Sequence, residues 1–378
     1  MRVRLRLLQL FSFHPHAVLW LLAGFMCWCA RDARCQDNPA TRAIHRADSY
    51  ISAQTAQRLF SGTVLIGIDG RIAFEKGYGL ANAEWNIPNG PATKFRIASL
   101  TKQFTAACIL LLQERGQLDV QDKISKYVSG LPESWQSITL HQLLTHTSGI
   151  PNYAEMPRVE QELNRTGATP REMVELAATK PLEFKPGTQL HYSNTGYVLL
   201  GMVIERISGM SYREFLQKNI FTPLGMRNSG YDNQTMILSN RASGYMVGNA
   251  GLTNADFIDM SIPFAAGSVY STVEDLYLWN EALASPGKLL TARSLDQMFA
   301  VYPETTAYGG QNYGYGVVIT HRFGRLLYYH GGGVKGFDSS IQRYPAERIC
   351  IVVLENLDPS KPWDLSDHVA SELFAKSE

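Results

Sequence analysis

Ser99 and Lys102 stand three residues apart in Ser99-Leu100-Thr101-Lys102. On a helix that spacing puts both side chains on one face. A serine hydroxyl is a poor nucleophile until its proton is removed. A lysine one turn away can remove it when burial lowers its pKa. A serine at a helix N-terminus also sits among exposed N–H groups that favour developing negative charge. Alone, the spacing equally describes a capped helix with a solvated lysine. A second copy, Ser285-Pro286-Gly287-Lys288, reads as a loop because Pro286 and Gly287 break any helix.

Two further groups are chemically suggestive. Tyr192-Ser193-Asn194 offers a phenol that could carry a proton between nucleophile and leaving group, and an amide that could meet a substrate carbonyl or Lys102. The blander possibility for Tyr192 is a buried aromatic with a satisfied hydroxyl. Tyr231-Asp232-Asn233 repeats the pattern as a decoy. His330-Gly331-Gly332-Gly333 ends one expected strand and precedes another. Small residues there let a substrate approach the backbone. The N–H of Gly333 could then join that of Ser99 as an oxyanion hole. The alternative is a glycine-rich hairpin loop with an incidental histidine. Gly331–Gly336 also matches Gly-x-Gly-x-x-Gly, but no βαβ unit surrounds it, so a dinucleotide site is rejected.

The elements that must hold these residues can be drawn from pattern. Thr41–Phe60 suits a surface helix. Val64–Ile68 and Arg71–Glu75 flank Asp69-Gly70, a hairpin signal. Ser99–Arg115 is apolar nearly all round and reads as a buried helix stopped by Gly116. Arg171–Thr179, Gly196–Ser208 and Val273–Leu283 read as helices, the last capped by Ser271 or Thr272. Tyr315–His321, Arg325–His330, Ser339–Tyr344 and Arg348–Glu355 read as strands that pair antiparallel, and Trp363–Lys376 as a final helix. The N-terminal hairpin and C-terminal strands can share one sheet, with a cleft against the helical middle.

Composition sets the class. The chain has 378 residues, 45% hydrophobic and 18% charged, which excludes broad disorder. A net charge of +1 gives no electrostatic case for nucleic acid or an anionic membrane. Arg2, Arg4 and Arg6 precede a short apolar stretch from Ala17 to Cys29, with small residues at Ala30 and Ala33. That pattern predicts a signal peptide over residues 1–35, cleaved after Ala30 or Cys35, and hence a periplasmic or secreted protein without stable membrane insertion. An uncleaved anchor is the alternative. Cys108 and Cys350 remain in the mature chain and read as small buried hydrophobes; their spacing does not decide whether they pair. No Gly-x-Ser-x-Gly elbow, His-Glu-x-x-His or Walker-type loop occurs. His141 and His146 lack a further ligand set and read as structural.

In order, Ser99/Lys102, Tyr192/Asn194 and His330/Gly332 resemble the serine β-lactamase and penicillin-binding protein superfamily, in its class C-like branch of D-alanyl-D-alanine carboxypeptidases, D-aminopeptidases and family VIII esterases. Phe95–Lys102, Leu143–Gly149, Pro223–Met226 and Gly267–Leu276 resemble the branch as well. The resemblance covers nearly all the chain after the leader. It implies an α+β fold, an α/β/α sandwich of antiparallel sheet and flanking helices with an inserted all-helical subdomain. The sheet part would span about 40–125 and 260–378, and the helical part about 126–259. It implies an acyl-enzyme on Ser99, with Lys102 and Tyr192 as the proton-transfer pair. The oxyanion hole would come from Ser99 and Gly333, with no metal or organic cofactor. The partner is then a small-molecule or peptide substrate carrying an amide or ester. Carboxypeptidase, esterase and weak β-lactamase chemistry all fit, and a catalytically silent cell-wall-peptide sensor is the alternative. His330 stands where the best β-lactamases have lysine, so a substrate carboxylate lacks a permanent counter-charge unless Lys335 or Arg343 supplies one.

Overall fold

The computed structural model describes residues 39–248, 251–305 and 310–375. The expected signal peptide and the last residue of the expected final helix lie outside them. No helix among the described residues is long and apolar enough to cross a membrane.

Five long strands and two short ones form the main sheet: β1 (Gly62–Ile68), β2 (Arg71–Tyr78), β3 (Asn312–Tyr313), β4 (Val318–Arg322), β5 (Arg325–Val334), β6 (Phe337–Tyr344) and β7 (Ile349–Glu355). Their order is β3-β4-β5-β6-β7-β1-β2, with every pair antiparallel. The N-terminal hairpin therefore joins the C-terminal strands in one sheet, as pattern predicts. Its turn uses Asp69 at φ 51° and Gly70 at φ 75°, the doubly left-handed geometry that suits two-residue hairpins.

Alternation along the strands builds two cores. Val64 and Ile66 of β1 with Ile351 and Val353 of β7 face Ala47 and Ile51 of α1 (Pro39–Ala56) and a C-terminal helix. Leu65, Val352 and Leu354 face the opposite way, into the larger core around α2 (Thr101–Glu114). The middle of the chain supplies α3 (Pro170–Ala177), α4 (Asn194–Ser208) and α5 (Val273–Ala284), and the chain closes on α6 (Pro362–Phe374), which covers the first core. Thr272, not Ser271, caps α5 by accepting from the Asp275 N–H. Helices on both faces of an antiparallel sheet are the architecture expected above.

Four details differ from expectation. Residues 126–259 are not wholly helical: Tyr245–Gly248 and Gly251–Asn254 form a hairpin that pairs with Leu357–Asp358. Gly251, which opens the second of these strands, sits at φ 103°, a conformation that favours glycine. Ser99 lies in a single 3₁₀ turn, Ala98–Leu100, and the α-helix begins only at Thr101. The expected Tyr315 strand starts at Val318, because Gly316 at φ 72° makes a turn closed by the Gly314 N–H on the Val317 carbonyl. β5 continues through all three glycines to Val334, since register pairing of Gly331, Gly332 and Gly333 with Ser340, Ser339 and Asp338 supplies ladder bonds that weak strand propensity does not. Cys108 and Cys350 are buried and unpaired, and burial pushes both thiols up.

Candidate active site

Three segments meet at Ser99. The first is its own turn. Phe95–Arg96 pairs with Val269–Ser271, and the Ile97 N–H donates to the Val269 carbonyl at 3.0 Å. Ala98 is held at φ 45°, a left-handed conformation that an L-residue adopts only when its surroundings enforce it. The second segment is the N-terminus of α4, which carries Asn194. The third is the glycine run of β5. Beyond Tyr329 that strand has no further β4 partner among the described residues. A Cβ on Gly332 would sit 2.5 Å from the Ile97 carbonyl oxygen and 2.7 Å from the Ser99 nitrogen. The backbone of β5 thus lies directly on that of Ser99, and Ser339 ties the two by donating to the Ile97 carbonyl at 2.9 Å.

Lys102 has no solvent exposure. Its Nζ lies 2.9 Å from Ser99 Oγ, 2.8 Å from Asn194 Oδ1 and 2.8 Å from the Ala266 carbonyl oxygen. Burial drives its pKa well below the ordinary lysine value. A neutral amine has two hydrogens and one lone pair. The amide and peptide oxygens can only accept, so they consume both hydrogens. In that neutral form the lone pair would be left for the Ser99 O–H. Asn194 is aimed in turn by Asn152, whose Oδ1 accepts from the backbone N–H and Nδ2 of Asn194 at 3.1 and 3.2 Å.

The Tyr192 ring lies 4.8 Å from Lys102 Nζ and packs, tilted by 37°, against the buried His146 with ring centroids 4.2 Å apart. His146 Nδ1 accepts from the Ser193 N–H at 3.2 Å, and burial holds its pKa well below the ordinary histidine value. His146 is therefore a neutral wall that orients Tyr192. His330 is 5% exposed. Its Nδ1 donates to the Gly331 carbonyl, so Nε2 is the acceptor for the Tyr313 hydroxyl at 2.9 Å. Burial, reinforced by Lys102, pushes the His330 pKa down to about 3.

That depression carries a sign. The unfolded chain protonates this imidazole from about pH 6.5, the folded chain only near 3, so His330 costs stability as pH falls, about 1.4 kcal/mol per unit. Glu75 at about 7 and Asp338 at about 6, both raised by burial, pull the other way. The measurement must therefore be a difference. Between pH 7 and 5, wild type should lose about 2 kcal/mol of urea-unfolding stability relative to His330→Gln. A difference independent of pH would show that His330 titrates normally.

All seven residues singled out from the sequence converge. Ser99, Tyr192, His330, Gly332 and Gly333 line a cavity of about 520 Å³; Ser99, Asn194 and Gly333 line a second of about 230 Å³, and Lys102 lies beneath. The decoys are elsewhere. Ser285 and Lys288 form a turn, and Asp232 is paired with Arg96 and Arg241. His141 bridges Tyr315 and Glu304, a structural role. Of the two stand-in cations, Lys335 lines the second cavity and bonds Glu160 at 2.8 Å, whereas Arg343 lies over the Phe299 and Tyr328 rings, in neither cavity. Asn152, Ala266 and Tyr313 were not singled out. Ala266 acts through its backbone, which no side-chain pattern announces.

A Beta-lactamase family model matches residues 47–374. Penicillin-binding protein 4* of Bacillus subtilis (strain 168) is 30% identical over 330 residues, covering 83% of this chain and 72% of that protein. The putative penicillin-binding protein PbpX of the same organism is 32% identical over 240 residues, 64% of this chain and only 59% of the relative's length. Among solved structures, the octameric penicillin-binding protein homologue from Pyrococcus abyssi aligns with TM-score 0.76 and 31% identity, over 88% of this chain and 78% of that one. The D-stereospecific amidohydrolase from Streptomyces sp. aligns with TM-score 0.71 and 28% identity, over 86% and 99%. A match across most of the described residues, on the fold and site geometry above, places the chain in the Beta-lactamase family, within the serine β-lactamase and penicillin-binding protein superfamily.

Proposed function

We propose that this protein is an exported serine hydrolase that passes the acyl group of an amide or ester to Ser99 and then to water. The observation that carries the reading is the fully buried Lys102 amine, its Nζ 2.9 Å from Ser99 Oγ and 2.8 Å from both Asn194 Oδ1 and the Ala266 carbonyl oxygen. Lys102 takes the hydroxyl proton as Ser99 Oγ attacks the carbonyl carbon. The N–H groups of Ser99 and Gly333 receive the oxyanion. Tyr192 delivers a proton to the leaving nitrogen or oxygen, and water then attacks the acyl-enzyme by the reverse route. Burying an amine costs free energy that a silent peptide-binding cleft has no need to spend, which argues for catalysis. The export reading rests on the leader alone.

The amidohydrolase neighbour supports an amide substrate, and the penicillin-binding relatives support a peptide-like one. Carboxypeptidase, esterase and weak β-lactamase activities are forms of the same step. A neutral His330 disfavours substrates that need a cation at the third motif, so benzylpenicillin should acylate slowly. The test is intact mass after benzylpenicillin, beside turnover of p-nitrophenyl butyrate, each with Ser99→Ala. A Ser99-dependent adduct or ester turnover is expected, lost by at least about 1,000-fold in the variant. Undiminished labelling of Ser99→Ala would refute the assignment.

A further inference from the structure

The larger cavity continues past Ser99 onto the α6 face of the sheet. On that face β5 presents Gly331 and Gly333, two residues and so about 6.8 Å apart, with no side chains between Trp363 and Asp338. A Cβ on Gly331 would lie 3.6 Å from the Trp363 ring; one on Gly333 would lie 2.8 Å from Asp338 Oδ1. The paired glycines therefore leave a trough with an indole at one end and a carboxylate at the other. Trp363 is 43% exposed although it lines the cavity. Asp338 is only 8% exposed. Its Oδ2 accepts from the Ser360 N–H and hydroxyl, while Oδ1 accepts no hydrogen bond among the described residues and faces the trough.

We propose that this trough is a subsite for a leaving group that carries an ammonium, its charge held by Asp338 and its carbon chain laid on Trp363. The proposal rests on the acyl-transfer reading above. The side of the scissile bond follows from Tyr192, the proton donor to the leaving atom, which lines this cavity and not the second. The sign of the charge follows from the lining. Asp338 and Asp367 oppose one cation, Arg322, whose Nε already lies 3.4 Å from Asp367 Oδ2. Arg322 pairs with Arg325, eight positions along β5 from Gly333, at the far end. His330 is neutral, and Lys335, which shares the second cavity with Ser99, does not line this one and is bonded to Glu160. Burial pushes the Asp338 carboxyl up to about 6, which still leaves it ionised at neutral pH. A carboxylate combined with an open indole face is the pairing that selects ammonium over an uncharged group.

The test uses the purified protein and butyrate esters of trimethylammonio-alkanols with two to five methylenes, each beside its uncharged tert-butyl isostere. The chain lengths cover the reach from Ser99 to the trough. Acid release by pH-stat gives the ratio of kcat/KM for each pair. At neutral pH the best pair should favour the cation at least tenfold. Asp338→Asn should bring that ratio near unity, and Trp363→Leu should reduce it several-fold. A ratio near unity at every length, with Ser99-dependent turnover intact, would overturn the subsite alone. If no ester turns over and Ser99 takes no label, the acyl-transfer reading fails and the subsite falls with it.

Discussion

Lys102→Met is expected to lower kcat/KM by on the order of 10³ to 10⁴ for ester and amide alike, while stability moves by less than about 2 kcal/mol. Activity and stability separate here for a physical reason. The amine has no solvent exposure and its hydrogen-bond partners are uncharged, so it contributes little charge–charge attraction to the fold. Methionine fills the same volume without a buried polar head. Against that gain, Asn194 Oδ1 and the Ala266 carbonyl each lose a donor. The two effects nearly cancel in stability, but Ser99 loses its proton acceptor outright. Lys102→Arg sharpens the comparison. Guanidinium cannot be deprotonated at neutral pH and offers no lone pair. If Lys102 acts as a base, arginine should be as inactive as methionine. If it acts only as a positive charge, arginine should retain more than a tenth of the activity. The same base role predicts activity that rises with pH as the amine deprotonates, with a midpoint well below that of an ordinary lysine. Acyl-burst kinetics and urea unfolding on the same preparations check both halves.

What pattern could reveal about this site follows from where each interaction lives. Ser99 and Lys102 were legible because their relation is local, one turn on one apolar segment. The two-core sheet was legible because Val64, Leu65 and Ile66 alternate, as do Ile351, Val352 and Val353. The 3₁₀ turn at Ser99 was not, because the positive φ of Ala98 is imposed by packing from Val269 and the glycines of β5, all remote in sequence. The roles of Asn152 and Tyr313 are also set by tertiary contact: one aims Asn194, the other meets His330 Nε2, which the Gly331 carbonyl leaves as the acceptor. His146 looked structural by spacing, and it is a wall, but the residue it supports is Tyr192. Arg343 offered the right charge in the right stretch. Its strand direction carries it to the Phe299 and Tyr328 rings instead.

Gly332→Ala should be the most damaging single methyl in the site, and the neighbouring glycines supply its control. The added Cβ would meet the Ile97 carbonyl oxygen at 2.5 Å, the Ser99 nitrogen at 2.7 Å and Ser339 Oγ at 2.8 Å. Two of those atoms are backbone, so no rotamer change relieves them. Either β5 lifts away from the turn or the turn moves, and both displace Ser99 from Lys102. Overpacking of this kind costs about 1–3 kcal/mol of stability. Misplacement of reacting groups by about 1 Å costs on the order of 100-fold in rate. Gly331→Ala points to the other face, where the nearest atoms are at 3.6 Å, ordinary contact distance. It should fold and turn over an uncharged ester within a few-fold of wild type. The two substitutions differ by one position and share the same change in strand propensity. A large gap between them therefore reports close backbone approach at Ser99, and equal effects would mean that loss of glycine flexibility, not the fit of β5 against the turn, governs the site. Thermal melts and p-nitrophenyl butyrate turnover on both variants make that distinction.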